Sequence, residues 1–210
     1  MNLTEMCALV RRDLKDEDAN NYRWSDAELD RHIAHALSEL SGAAPVEAVA
    51  TLATTSGSRD IDIATLRPLV IVQAVEYPAG KFPKQYQRFS LWADTLTLLG
   101  DLVPDGDDAR ILYGRPHTLD AETSTLPATL EDLLAIGAAG FACLEWASFS
   151  INKVNVGGAT TAQEFEAAGQ ARLNFFRKEL RRLGRRNRVR LARLYVPSEQ
   201  VVSQSTVQGP

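Results

Sequence analysis

The stretch LLAIGAAGFACLEWASF, residues 133–149, holds one charged residue, Glu145, in 17 positions and is rich in Ala and Gly. Seventeen residues are at the lower limit for a helix that crosses a bilayer. Small side chains instead allow neighbouring helices to approach closely, so the stretch favours a buried central helix, or one packed between subunits. We expect a single helix from about residue 128 to residue 150.

Two amphipathic helices precede this stretch. Thr4 is the expected N-cap of the first helix, whose apolar residues follow helical spacing up to Leu14. Ser25 and Glu28 have the spacing of a capping box and open the second helix, which is expected to end near Gly42. Together they predict an N-terminal helical hairpin over residues 1–44.

The period of the apolar residues changes to two in the middle of the chain. Phe89–Trp92 and Thr95–Leu98 flank Ala93-Asp94 as the strands of a tight hairpin, and residues 104–107 form a turn signal. We predict an α+β, mainly helical fold, in which a four-helix bundle-like core is interrupted by a small antiparallel β insertion. The expected segments are 1–44 (helical hairpin), 45–120 (β insertion), 121–187 (long C-terminal helices) and 188–210 (basic extended arm and tail).

Charge is concentrated near the C-terminus. Residues 172–193, the basic segment, carry ten Lys or Arg and one acid, Glu179, whereas the rest of the chain carries 13 bases and 26 acids. The run could be only a solvated helix face opposite Leu180 and Leu183, but such faces normally carry interspersed acids, so the pattern favours an electrostatic docking surface. Few aromatic residues interleave with the arginines, which disfavours stacking on single-stranded bases and favours contact with phosphates or an acidic protein rim.

No motif of catalysis or cofactor binding is present. The chain lacks a P-loop, a GxGxxG after a strand, CxxC, HExxH and GxSxG. His32 and His35 lie three residues apart on one helix, with Glu28 and Glu39 each one turn away, so two imidazoles and a carboxylate could share a metal. Nothing elsewhere in the sequence supplies an obvious further ligand. Cys7 and Cys143 are far apart in apolar helical patterns and are expected to be buried, reduced thiols. We expect no enzymatic activity, no cofactor and no metal site.

The order of these elements resembles that of head-to-tail adaptor proteins of tailed bacteriophages. The similarity is carried by Leu9–Leu14, by YRWSDAEL at residues 22–29, by RFSLW at residues 88–92 and by the stretch from Gly137 to Ala147. It covers the chain from Leu3 to about Leu183. Its motifs are signatures of packing and capping rather than of catalysis.

The resemblance implies a virion neck protein that assembles in the host cytoplasm into a ring, typically dodecameric, beneath the portal. Genomic double-stranded DNA would pass through the ring without sequence specificity, and the partners would be the portal and the next neck or tail protein, with no membrane. The stretch 185–210 would dock on the portal, with apolar anchors at Leu180, Leu183 and Tyr195. The expected docking residues are Arg181, Arg182, Arg185, Arg186, Arg188, Arg190, Arg193 and Tyr195. The expected subunit-packing residues are Gly137, Ala138, Gly140, Phe141 and Trp146.

Three alternatives remain open from the sequence. The basic arm at residues 177–193 could bind duplex DNA, in which case binding would weaken steeply with salt. The chain could be another neck component, such as a stopper or tail-completion protein. A metalloenzyme built on His32 and His35 would carry stoichiometric metal.

Overall fold

A computed structural model describes residues 1–150 and 161–192. It contains four α-helices and six β-strands in these parts of the chain. The helices are α1 (Leu3–Leu14), α2 (Asp26–Ala43), α3 (Ala128–Ser150) and α4 (Thr161–Ala192). The strands are β1 (Val46–Ala53), β2 (Asp60–Asp62), β3 (Ile71–Glu76), β4 (Tyr86–Trp92), β5 (Thr95–Leu99) and β6 (Asp108–Arg115).

The chain divides into two compact units. The helical unit comprises Met1–Val46 and Pro116–Gly184, and the β unit comprises Glu47–Arg115, grouped with the chain from Arg185 onward. The β unit is therefore inserted between α2 and α3 of the helical unit.

Both N-terminal helices begin at capping boxes. The Ser25 side chain accepts from the Glu28 amide while the Glu28 carboxylate accepts from the Ser25 amide, which confirms the predicted start of α2. The first helix begins earlier than predicted, because Asn2 and Glu5 form the same reciprocal arrangement there. Thr4 therefore lies inside α1 and is not its N-cap.

The core of the helical unit is built around α3, as the apolar stretch predicts. This helix packs against both α1 and α2. Its length and composition would suit a membrane span, but 56% of its most apolar window is buried inside the protein. The buried α3 residues that line this core are Leu134, Ala135, Ala138, Ala139, Ala142 and Cys143.

A buried ionic cluster fixes the connection between α1 and α2. The Arg11 guanidinium donates to Asp16 Oδ2 at 2.8 Å, to Asp26 Oδ1 at 2.6 Å and to the Trp24 carbonyl oxygen at 3.0 Å. Its Cζ also lies 3.6 Å from the centroid of the Tyr22 ring. The sequence analysis did not single out Arg11, although its place on the apolar stripe of α1, four residues after Cys7, was a usable signal.

The β unit is a six-stranded antiparallel sheet that curls into a half-barrel, with the strand order β1-β6-β3-β4-β5-β2. Its own apolar core includes Ile61, Val75, Leu96 and Ile111. The predicted hairpin is confirmed: Trp92 pairs with Thr95, and the turn places Ala93 at a φ of 51°.

The predicted fold class is wrong in its balance. The chain is not a mainly helical four-helix bundle with a small insertion, because the sheet has six strands and a core separate from that of the helices. The size of the sheet was underestimated chiefly because β1, VEAVATLA, was not predicted as a strand. Its residues alternate between partly buried and exposed, but alanine lies on both faces, so the sequence shows no clear apolar alternation.

Candidate docking surface

The basic segment lies on α4 as far as Ala192, and its side chains up to Arg188 are divided between a buried and an exposed side of the helix. Leu173, Phe176 and Leu180 are buried in the core of the helical unit. Leu180 is thus used inside the chain, which contradicts its expected part in anchoring a partner. Five exposed arginines occupy the remaining surface of the C-terminal half of the helix, and we name them the cationic face. They are Arg181, Arg182, Arg185, Arg186 and Arg188.

Two of the bases that precede the cationic face, Arg172 and Arg177, are held by the helical unit itself. Arg177 donates to Glu39 through Nη2 at 3.0 Å, and the same contact raises the pKa of Arg177. Arg172 Nη2 donates to the Asp13 carbonyl oxygen at 3.3 Å. Lys178, which follows Arg177, is exposed, so the positive charge that remains available to a partner begins at about Lys178.

The cationic face has little internal neutralisation. Arg182 pairs with Glu179 at 2.7 Å. Within residues 1–150 and 161–192, no carboxylate lies at ion-pair distance from Arg181, Arg185, Arg186 or Arg188. Three of these, Arg181, Arg185 and Arg188, recur at spacings of four and three residues and so project from one side of the helix. Their position near the helix C-terminus also complements the helix dipole.

The structure corrects the extended arm that was predicted from residue 188. Helix α4 continues through Gly184 to Ala192, since arginine and leucine favour helix and one glycine costs only about 1 kcal/mol. Arg188 and Arg190 are consequently helical, although the side chain of Arg190 is outside what the structure describes. Arg193 and Tyr195 lie outside the described residues.

The residues expected to pack between subunits fall into two groups. Gly137, Ala138 and Gly140 are buried within the helical unit. A Cβ added at Gly137 would lie 3.0 Å from the Phe176 ring, and a Cβ added at Gly140 would lie 2.9 Å from Leu173 Cγ. Phe141 and Trp146 are only half-buried. Contacts of these residues with another subunit stay a prediction.

The two half-buried aromatic residues lie in separate surroundings. The Phe141 ring stacks on His35, with 4.0 Å between the ring centroids. Trp146 packs against Trp24 at 5.6 Å and against Phe165 at 6.3 Å between centroids. Each leaves part of its ring for a further contact.

His32 and His35 do not converge on one point. His32 is buried, and its Nε2 lies 2.5 Å from Glu145 Oε2. Burial lowers the pKa of His32, and the hydrogen bond to Glu145 opposes this only in part. His35 instead lies 3.9 Å from Glu39 Oε1. Among the described residues there is no group of three or more His, Cys, Asp or Glu side chains able to hold a metal.

Both cysteines are buried free thiols, as predicted. Cys7 Sγ donates to Asp30 Oδ1 at 3.1 Å, and burial together with this contact raises the pKa of Cys7 to about 12. Burial likewise raises the pKa of Cys143. Because the thiolate is the reactive form, neither side chain is suited to nucleophilic chemistry.

We therefore expect neither cysteine to react with a thiol reagent in the folded protein at mildly alkaline pH. Both should react at once after denaturation, since unfolding restores solvent access and ordinary pKa values. A colorimetric thiol titration measures this directly. A Ser56→Cys variant, which places a thiol at an exposed turn, is the positive control. Rapid labelling of Cys7 in the folded protein would contradict the described burial.

One protein family matches almost the whole chain. The family model described as "SU10 adaptor protein" matches residues 1–195, which include both units and the cationic face. No match was found among the curated proteins. The chain belongs to the SU10 adaptor protein family, a family of phage head-to-tail adaptors.

Proposed function

We propose that this phage neck protein forms a ring beneath the portal, extends the DNA exit channel and links the head to the tail without catalysing a reaction. Membership of an adaptor family supports a structural role with portal and tail proteins as partners. The ring, its twelve subunits, the passage of genomic DNA and assembly in the host cytoplasm are parts of this proposal.

The main support for docking on the portal is the cationic face. Arg181, Arg185 and Arg188 present three charges on one side of a helix, with no carboxylate beside them among the described residues. Electrostatic complementarity with an acidic rim would set the orientation of docking and speed the encounter. Arg182 and Arg186 widen the same positive surface.

The rest of the chain has the opposite charge, which suits a channel wall. Outside residues 172–193 acids outnumber bases by 26 to 13. A negative wall repels phosphates, so DNA would pass without being gripped.

Phe141 and Trp146 are the better candidates for contacts between subunits in the ring, because part of each aromatic side chain is exposed.

Reversing three charges of the cationic face should abolish portal binding. In the variant Arg181→Glu, Arg185→Glu, Arg188→Glu, attraction to an acidic rim becomes repulsion, and we expect affinity to fall about 100-fold or more, since like charges brought together cost several kcal/mol. Electron microscopy of the chain mixed with its portal protein would show loss of the added collar.

A matched control carries the same change in net charge elsewhere. Arg12, Arg59 and Arg88 are exposed and lie outside α4, so their joint replacement by glutamate should leave the collar in place. Circular dichroism checks that both variants keep their helix content. A collar that persists in the α4 variant would refute docking through the cationic face.

A binding assay with duplex DNA tests the alternative that the cationic face binds DNA rather than the portal. If the cationic face bound phosphates, the unmodified chain would bind DNA with an affinity that falls steeply as salt rises. We expect no such binding at physiological salt. Tight, salt-sensitive DNA binding combined with a bare portal would favour a DNA-binding protein.

A further inference from the structure

Phe82 is the most exposed large apolar side chain of the described residues, at 96%. It lies in the loop that joins β3 to β4, and hydrogen bonds hold this loop in place. Tyr77 N donates to the Gln85 carbonyl oxygen at 3.0 Å, and Gly80 N donates to Glu76 Oε1 at 3.0 Å. Because the loop is already ordered, a contact made through Phe82 loses little conformational freedom. The ring is therefore presented as a preformed anchor.

A lysine lies on either side of this ring in the sequence. Lys81 is held in an ion pair within the β unit. Lys84 Nζ lies 3.8 Å from Glu76 Oε2, but 55% of its side chain is exposed. Glu76 also has Arg110 at 3.4 Å, so Lys84 could turn to a partner without leaving that buried carboxylate unpaired. The surface that best complements Phe82 and Lys84 is an apolar recess beside acidic groups.

A groove between α1 and α2 has these properties. Its volume of about 340 Å³ is large enough for a phenyl ring. Leu3, Ala8 and the ring of Tyr22 supply apolar walls, and Tyr22 is 43% exposed. Asp26 and Asp30 line the same groove from the side of α2. We name this recess the α1–α2 groove.

The α1–α2 groove is negatively charged. Arg11 lines it and donates to both Asp16 and Asp26, while Asp30 accepts from a neutral thiol. Three carboxylates and one guanidinium give these four side chains a formal charge of −2. Two other grooves of the helical unit are lined in part by Arg23, whose charge would repel a lysine. The α1–α2 groove is thus the better match for the loop.

We propose that Phe82 of one copy of this chain inserts into the α1–α2 groove of a second copy, with Lys84 beside Asp26 and Asp30. A buried aromatic anchor supplies the affinity of such a contact, and the opposite charges fix its orientation. The loop and the groove are different surfaces, so the contact runs head to tail, and head-to-tail contacts generate rings when the rotation between copies closes. As a subunit contact the inference rests on the proposed ring, but the self-association needs no portal.

Sedimentation equilibrium of the full chain without portal, over a range of concentrations, tests the proposal. We expect self-association that Phe82→Ser weakens about tenfold or more, because burial of the ring is lost. Trp92→Ser is the matched control, since it removes the other strongly exposed aromatic side chain of the β unit, at 85%. Association should persist in that variant.

A second pair of variants tests the groove. Ala8 is exposed on α1, so Ala8→Arg fills the groove with a bulky cation and should abolish self-association. Ala171 is exposed on α4, outside the groove, and Ala171→Arg should leave association unchanged. Circular dichroism checks that both variants keep their helix content.

Three results would overturn the proposal. The first is a chain that stays monomeric at every concentration, and the second is a Phe82→Ser variant that associates as well as the unmodified chain. The third is association that survives Ala8→Arg, because the ring of Phe82 then binds elsewhere. A monomeric chain that still adds a collar to the portal would refute this contact and leave the docking function intact. A chain that associates through Phe82 but leaves the portal bare would refute the docking and leave this contact intact.

Discussion

Replacement of Arg11 by methionine is expected to lower the free energy of unfolding by about 3–5 kcal/mol, the cost of removing one partner of a buried ion pair. Methionine keeps most of the apolar stem but leaves the Asp16 carboxylate, whose side chain is 7% exposed, without its cation. Among the described residues Asp16 would retain the backbone donors Arg23 N and Trp24 N, at 2.7 and 3.3 Å. Asp26 would lose less, since its side chain is 80% exposed.

The neighbouring arginine supplies the control. Arg12 is exposed on the same helix, and Arg12→Met should change stability by less than about 0.5 kcal/mol. Urea denaturation followed by tryptophan fluorescence is suitable, because Trp24 is buried beside the cluster. The double variant Arg11→Met, Asp16→Asn should lose less than the sum of the single changes, since both remove the same pair. Equal urea denaturation midpoints for Arg11→Met and Arg12→Met would show that the Arg11 cluster contributes nothing to the free energy of unfolding.

Replacement of Gly140 by valine is expected to destabilise the helical unit by about 3 kcal/mol, at the upper end of the range for an overpacked core. A Cβ at this position would lie 2.9 Å from Leu173 Cγ and 3.2 Å from Arg172 Cβ. Leu173 is 2% exposed and belongs to the core of the helical unit, so its side chain is surrounded by other core residues. The helices α3 and α4 would have to separate. Thermal unfolding measured by circular dichroism reports the loss.

A second helical glycine separates this steric effect from helix propensity. Gly42, near the end of α2, has no atom within 4 Å of an added Cβ. Gly42→Ala should therefore stabilise the protein by about 0.5 kcal/mol, because alanine loses less backbone freedom than glycine on folding. If Gly140→Val proved as harmless as Gly42→Ala, the close approach of α3 to α4 would be refuted.

The parts of the fold that follow from local chemistry were predictable. The capping box at Ser25, the apolar central helix and the hairpin at Ala93-Asp94 each depend on residues that are close in sequence. The family resemblance rested on the same local signatures, and it is confirmed by the family match. The basic segment was also visible, because charge is a property of composition rather than of tertiary structure.

The parts that depend on tertiary contacts were missed. Alanine-rich β1 is a strand because its partly buried face packs against the core of the β unit. This contact could not be predicted from its residue types, since alanine does not favour strands. Arg11 is buried because Asp16 and Asp26 come together around it, which only the fold brings about. At the end of α4 the opposite error occurred: an extended arm was predicted from residue 188, but helix-favouring residues continue the helix to Ala192. Interfaces between subunits remain predictions for the same reason.

The strand order also bears on whether the β unit could be removed or exchanged as a block. Strands β1 and β6 are neighbours in an antiparallel sheet, so the strand that begins the inserted stretch and the strand that ends it lie side by side. An inserted unit whose first and last strands are neighbours can be deleted or replaced with a short linker, without separating the segments that flank it. The β unit could thus be altered while the helical unit stays unchanged.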